Sequence, residues 1–491
     1  LRLDRVRFQL RPLDIQVYSL SDGLSEFIIY FLVIFSPWAF GTTEPWSIWT
    51  VNIAGYALGL LLAVKLLLRW TKAYRPPRWD ACGPRFLHVF PAIVTLLLLS
   101  YCLVSAVNAR ATFRDDTLTF DYHECITWLP HSFDATASWS AFWRYLGLAC
   151  AFWAIIDWLP GRTSAEQRAR LSNPAAAGMP AFPARLRRLL WILAVNGALL
   201  GVEGIVQRLA DSSRLLFLVL PRIHQTAVTQ FGPYAYRSNA AQYFNLLWPV
   251  CLGFWWTLKQ TRGGRSKAYP WLLVCAAVMA ACPLISTSRA GALVTLGIAV
   301  SAAVILVATH FLFAANRKGN SRPRGKTFLS LALFFCASLG FGLTLGWQAL
   351  APRLEQLEDG FQGRRLMYEA ARPMADDFPL YGTGPGTFET ASYLYPRPDI
   401  FWPPQLHNDW LETRITFGYV GCALLCLALG TVGVRWFMGG GIHGGRRFVA
   451  LTWLTLAGCM MHARFDFPFQ VHSILLLFLV LCAILFTRSR R

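Results

Sequence analysis

Charge is scarce in this sequence, and negative charge is scarcer. Asp, Glu, Lys and Arg make up 15% of the 491 residues, with 26 acidic side chains against 46 basic ones. Apolar residues reach 55% and aromatics 14%, more than a soluble globule could bury, so a soluble domain is excluded. Other absences narrow the field. Asp115, Asp116, Asp121, His123, Glu124, His131 and Asp134 crowd into 108–138 and could bind a divalent cation. Their spacing matches no ligand frame, and a solvated acidic loop is the simpler reading. The stretch Gly382-Thr-Gly384-Pro-Gly386 lacks the glycine spacing and the strand–helix setting of a dinucleotide fingerprint. The basic amino terminus has no small-residue cleavage site around the first apolar stretch, which is therefore expected to be a retained helix. Of the twelve cysteines, nearly all lie inside apolar stretches, where Cys acts as a small hydrophobe, and only Cys125 falls in an outward loop, so no structural disulfide is expected.

What is present is a series of long apolar runs. A bilayer core about 30 Å thick needs roughly 20 apolar residues per helix. Twelve stretches qualify, centred on Leu24–Phe40, Trp46–Leu68, Phe86–Val107, Trp139–Leu159, Leu189–Leu209, Ala241–Leu258, Tyr269–Ile285, Ala290–Ala314, Thr327–Trp347, His407–Phe437, Phe448–His462 and Pro468–Phe486. The net charge of +20 is not a nucleic-acid footprint, because 30 of the 46 basic residues fall in alternate loops. These are the amino-terminal tail (Arg2, Arg5, Arg7, Arg11), residues 69–85, 162–188, 259–267, 317–326 and 435–447, and the carboxyl end. The positive-inside rule then places both termini in the cytoplasm, which requires an even number of spans. The expected fold is an all-α polytopic membrane protein of about twelve helices. One large, partly helical periplasmic loop, 348–406, separates helices in 1–347 from helices in 407–491.

The outward segments hold the candidate chemistry. Span five ends with Glu203, Gln207 and Arg208, and Arg144 lies inside span four; an intramembrane charge is a functional candidate or a snorkelling anchor. Arg237-Ser-Asn239 at the entry of span six offers either an anion site or an ordinary helix cap. Arg289 occupies a very short turn between spans seven and eight, where a guanidinium fork is suited to phosphate oxygens. The segment Pro352–Arg372 carries Arg353, Arg364, Arg365 and Arg372, with apolar Leu354, Leu357, Phe361, Met367 and Tyr368 spaced for an amphipathic helix. The glycine turn Gly382, Gly384, Gly386 can present backbone N–H groups as an anion nest. Tyr381, Phe388, Tyr393, Tyr395, Phe401, Trp402 and Trp410 could stack on sugars or lie in the interface as aromatics commonly do. Arg464 and Asp466 share a short turn and are candidates to pair. His407-Asn408 opens the tenth span, and a lone histidine there is either a base or an interfacial residue.

On these residues the chain resembles the O-antigen ligase and polymerase family of bacterial inner-membrane glycosyltransferases. The family pattern of His, then Asn, Ser or Gln, nine residues, Gly-x-x-Gly and Leu or Met is met by His407, Asn408, Gly418, Gly421 and Leu425, with Cys422 where Thr is common. Arg364, Tyr368 and Pro379-Leu-Tyr-Gly382-Thr-Gly384-Pro-Gly386-Thr-Phe388 are similar to a second family run. Ser288-Arg289-Ala-Gly291, the segment from Phe231 to Ala240, and Asp466-Phe-Pro468-Phe-Gln470 are similar to three more. The resemblance covers roughly Gln230 to the end.

It implies a GT-C-like, metal-independent, inverting glycosyltransferase of the inner membrane with its active site on the periplasmic face and no cofactor. The donor would be a glycan on undecaprenyl pyrophosphate and the acceptor lipid A–core or a second lipid-linked glycan, with membrane lipids around the chain. His407 would be general base, and Arg237, Arg289, Arg364 and Arg365 would hold the pyrophosphate, with Arg289 also stabilising charge in the transition state. Gly382, Gly384, Gly386 and Asn408 would shape the substrate loop. A transporter is the reading from another class, but no internal symmetry supports it; an envelope-assembly scaffold is a third.

Overall fold

The structure is a computed structural model that describes residues 9–79, 86–172, 182–261, 269–314, 324–395, 404–438 and 445–488. Arg2, Arg5, Arg7, Arg85, Phe401, Trp402 and the basic residues at 262–267, 317–322 and 490–491 lie outside the described residues.

The chain is helical with one small hairpin. In order it forms α1 (Pro12–Trp38), α2 (Pro45–Thr71), α3 (Phe86–Val107), β1 (Ala111–Arg114), β2 (Thr119–Tyr122), α4 (Ala135–Trp158), α5 (Ser164–Ser172) and α6 (Ala184–Leu209). It continues with α7 (Arg237–Thr261), α8 (Trp271–Ile285), α9 (Arg289–Ala314), α10 (Arg324–Glu355), α11 (Leu357–Asp377), α12 (Phe388–Ala391), α13 (Asp409–Met438), α14 (Arg446–His462) and α15 (His472–Arg488). Each of the twelve apolar stretches falls on one of these helices. Among the described residues, eight helices are long and apolar enough to cross a membrane: α1 to α4, α6, α9, α10 and α13; α8 and α15 are apolar but shorter. The chain is an all-α polytopic membrane protein.

The helix least like a span in sequence is the most enclosed. Residues 240–258 of α7 are buried without a break, and α7 packs against α6, α8, α9, α14 and α15. A helix ringed by protein needs no apolar face toward lipid, so it can carry Gln242 and Asn245 inside. Asn245 Nδ2 donates to Gly291 O (3.1 Å) and Thr295 Oγ1 to Asn245 Oδ1 (2.8 Å), which joins α7 to α9. Elsewhere small residues set the spacing: a Cβ on Gly55 of α2 would lie 2.4 Å from the Gly147 carbonyl of α4, the close approach typical of membrane helix pairs.

Two ends of the bundle differ in how they handle charge. At one, Asp157 of α4 takes Lys65 (2.9 Å), Arg69 (2.5 Å) and Arg78 (2.9 Å), while Asp22 and Glu26 of α1 pair with Arg185 and Arg188 of α6. Lys65 is fully buried, and a buried charge in lipid is tolerated only with such partners. The opposite end carries the β1–β2 hairpin, α11, α12 and the glycine turn.

At that end α13 is broken rather than bent. Gly418 adopts φ 57° and ψ −166° within it, and the N–H groups of Tyr419 and Val420 turn to the carbonyls of Pro379 (2.9 Å) and Leu380 (3.1 Å). Tyr101 of α3 locks the joint by donating to Tyr381 O (2.6 Å) and lying 3.0 Å from Phe417 O. A Cβ at Gly418 would meet Leu380 O at 2.5 Å, in a backbone conformation only glycine adopts easily. Gly418→Ala therefore loses about 1–3 kcal/mol to backbone strain before the clash is counted. Thermal unfolding in detergent should show a clear drop for Gly418→Ala. Gly430→Ala in the same helix, where nothing lies within 4 Å of the new methyl, should melt like the parent.

Candidate active site

Five segments meet at the end that carries α11, the start of α7 together with the residue just before it counting as one. The start of α7 brings Arg237 and Ser238, the turn before α9 brings Ser288 and Arg289, and the last turn of α10 brings Arg353. Arg364 comes from α11, Asp466 from the turn between α14 and α15, and Tyr236 from the segment that enters α7. All of these line a cavity of about 650 Å³. Its floor is apolar and runs between two helices: Leu293, Val294 and Ile298 of α9 face Leu454, Ala457 and Met461 of α14.

The electrostatics are one-sided. Four arginines line the cavity, and among the described lining residues Asp466 is the one carboxylate. The guanidinium groups are held by neutral carbonyls. Arg289 Nη1 donates to Gln356 O (2.7 Å), Arg237 Nη1 to Val228 O (2.7 Å), and Arg364 Nη1 to Phe465 O. Carbonyls fix direction without cancelling charge, so the cavity keeps a net positive field suited to a multiply charged anion.

Asp466 is spoken for. One oxygen lies 2.9 Å from His407 Nδ1; the other accepts from Ser238 Oγ and from Tyr236 Oη (3.4 Å), with Arg364 Nη2 at 4.0 Å. Burial alone would raise this carboxyl, but the hydrogen bond with His407, the nearby imidazole of His462 (3.8 Å) and the charge of Arg364 hold it well below the usual carboxylate range. It is ionised at any working pH. With Nδ1 occupied, His407 has Nε2 as the nitrogen for a substrate.

His407 is not on the cavity wall; it borders the cavity through Asp466 and Tyr236. It precedes α13 rather than opening it, and its φ of 57° is a left-handed conformation rare for a side chain of this size. Tyr368 Oη holds its carbonyl at 2.7 Å, and its ring lies edge-on to Phe467 (4.8 Å) and Tyr236 (5.8 Å). Asp409 fixes the facing turn by accepting from Phe469 N–H (2.8 Å) and Gln470 Nε2 (3.2 Å).

The sequence-derived residues divide. Arg237, Arg289 and Arg364 share the cavity, with His407 beside it. Arg365 does not join them: it is exposed on another face of α11 and pairs with Glu369 at 2.8 Å. The glycine turn is not at the cavity either. The N–H groups of Gly382 and Gly384 donate to Phe378 O (3.0 Å) and Thr416 O (3.0 Å), so the expected anion nest is replaced by a dock for the broken α13. Asn408 is a helix cap, accepting from Leu411 N–H at 3.2 Å. The expected Arg464–Asp466 pair gives way to His407 and Ser238 because Asp466 is buried and Arg464 exposed. The amphipathic helix begins at Leu357, since α10 runs on to Glu355; it buries Tyr368, Ala371 and Met374, while Phe361 lines the cavity. Arg208 ties loop carbonyls of Ala227 (2.9 Å) and Gln230 (3.0 Å), and Gln207 accepts from Gly232 N–H at 2.5 Å. Arg144 lies over the Tyr145 ring (5.8 Å), away from the cavity. In the acidic loop, Asp134 caps α4 and Asp121 pairs with Arg114. Among the described residues no group of three or more His, Cys, Asp or Glu side chains is arranged to hold a metal ion.

Residues 273–426 match the family model described as O-antigen ligase. That stretch is similar to the O-antigen ligase family. No curated protein matches the chain. The matched segment contains Arg289, Arg353, Arg364, His407 and Gly418, while Arg237, Ser238 and Asp466 complete the cavity from outside it. The match supports a function of O-antigen ligase or polymerase type, a glycosyltransferase-like activity on lipid-linked glycans in the bacterial inner membrane.

Sequence reasoning gave no role to Tyr236, Ser238, Ser288 or Arg353. Ser238 and Ser288 each adjoin a candidate arginine, which is the one local signal they had. Asp466→Asn should keep the fold yet lower transfer about a hundredfold, the scale of a misplaced base. Arg365→Ala should leave the rate within twofold, as surface changes do, while Arg364→Ala loses most of it; one transfer assay on membranes checks all three.

Proposed function

We propose that this protein transfers a glycan from an undecaprenyl-pyrophosphate carrier to a hydroxyl of lipid A–core. The observation that carries this reading is the cavity itself: four arginines, three of them held by carbonyls, stand over an apolar trough between α9 and α14, beside a histidine oriented by a buried carboxylate. The arginines match a pyrophosphate, and the trough matches the first isoprene units of its lipid.

In the reaction, the acceptor hydroxyl oxygen forms a bond to the anomeric carbon as the bond from that carbon to pyrophosphate oxygen breaks. The hydroxyl proton passes to His407 Nε2, and the electron pair leaves with the pyrophosphate. Arg237, Arg289, Arg353 and Arg364 take up the charge that grows there. Asp466 keeps the imidazole in place and stabilises its charged form without itself taking the proton. Attack opposite the leaving group inverts the anomeric centre. The guanidinium cluster supplies charge that a divalent cation would otherwise supply, so transfer should persist in EDTA.

Twelve spans with both termini cytoplasmic would put the cavity on the periplasmic face, since the basic loops lie at the Asp157 end. The decisive experiment is the envelope glycolipid ladder from cells lacking the protein, complemented with wild type or His407→Ala. Membrane-inserted His407→Ala should leave lipid A–core bare while polymer accumulates on its carrier. Core bearing one repeat would mean a polymerase, and a normal ladder would remove His407 from catalysis.

A further inference from the structure

One face of α6 carries Val195, Leu199, Val202, Val206 and Leu209, all exposed, at spacings of three and four. On a helix that crosses a membrane, such a stripe faces lipid. The apolar surface does not stop with the helix. Past the polar stem Asp211-Ser-Ser-Arg214 the chain reads Leu215-Leu-Phe-Leu-Val-Leu220, in which Phe217, Leu218, Val219 and Leu220 are 43–69% exposed and Ile223 follows, exposed as well.

This tip is built, not slack. Gln207, in the last turns of α6, donates to Arg214 O (3.1 Å), and Gln230 donates to Ser213 O (2.9 Å) and His224 O (2.6 Å). The near foot of the loop is thereby pinned to the end of α6, and Gln230 ties the two feet to each other. Leu215 and Val219 close a single antiparallel bridge above them. Leu216 (φ 51°) and Phe217 (φ 61°) both sit in the left-handed region, where glycine and asparagine are at ease and large side chains are not. The chain thus holds large apolar groups outward at a turn against both water and its own backbone preference.

We propose that 215–223 is a wedge inserted into the membrane surface, its tip among acyl chains and the exposed Arg214 and Arg222 among anionic headgroups. Lipid is the occupant because the tip continues a lipid-facing stripe and is bordered by cations. The wedge also touches the cavity. His224, at its far foot, stacks on Tyr236 (5.1 Å, 28°), and Val228 holds Arg237 by its carbonyl. Insertion depth therefore sets the height of the arginines relative to the headgroups, whatever substrate they bind.

The test is spin-label accessibility on the full chain in nanodiscs of phosphatidylethanolamine and phosphatidylglycerol. Labels go on Leu218→Cys and, as stem control, Thr226→Cys, in a Cys82→Ser, Cys125→Ser background whose own signal is subtracted; Val219→Cys replaces the first should it not fold. At the tip, oxygen collisions should exceed nickel-chelate collisions severalfold, with the order reversed at Thr226→Cys. A tip open to the nickel chelate lies in water, and a tip closed to both quenchers lies in a protein contact; either result overturns the wedge.

Discussion

The carboxylate of Asp466 is the constraint on which the functional end depends. It is buried, and within one ion's reach it gathers a histidine before α13, a serine at the head of α7, a tyrosine from the preceding loop and an arginine of α11. Tyr236 and Ser238 are two residues apart; His407 and Arg364 come from other parts of the chain. A buried charge without partners costs several kcal/mol, so the same penalty that makes an isolated Asp466 untenable holds these segments together. The geometry of the cavity and local folding are then one problem with one solution.

Around that anchor the arginines obey a different rule. Where the bundle needs only cohesion, at Asp157, cations meet a carboxylate directly. Where it needs a field, Arg237 and Arg289 meet carbonyls of loops and helix ends. The two ends of one helical bundle thus use the same residue types for opposite purposes. The choice of partner, more than the number of arginines, separates a clamp from a binding site.

Much of this was legible in the sequence because it rests on hydropathy and spacing. The twelve apolar stretches fall on helices because a span must hide its own backbone polar groups, and only helices do so segment by segment. The approximate address of Arg237, Arg289, Arg364 and His407 followed from short motifs at one set of loops. What hydropathy does not encode is which side chain meets which. Arg364 and Arg365 are adjacent, yet about 100° apart on a helix; Arg364, Tyr368, Ala371 and Ala375 share the inward face, and that spacing was readable. The partner of Asp466 was not, since His407 lies 59 residues away. The glycines at 382 and 384 misled for a similar reason: a turn that exposes N–H groups serves an anion or a broken helix equally well, and only the broken α13 decides it.

The enclosure of α7 has a mechanical consequence. A helix that meets lipid must answer to bilayer thickness by tilting or by burying its ends, at a cost of a fraction of a kcal/mol per ångström of mismatch. Between residues 240 and 258, α7 meets only protein, so that adjustment falls on the outer helices. Arg237 and Ser238 stand at the head of an axle, and membranes of different thickness tilt the rim while the hub stays in register.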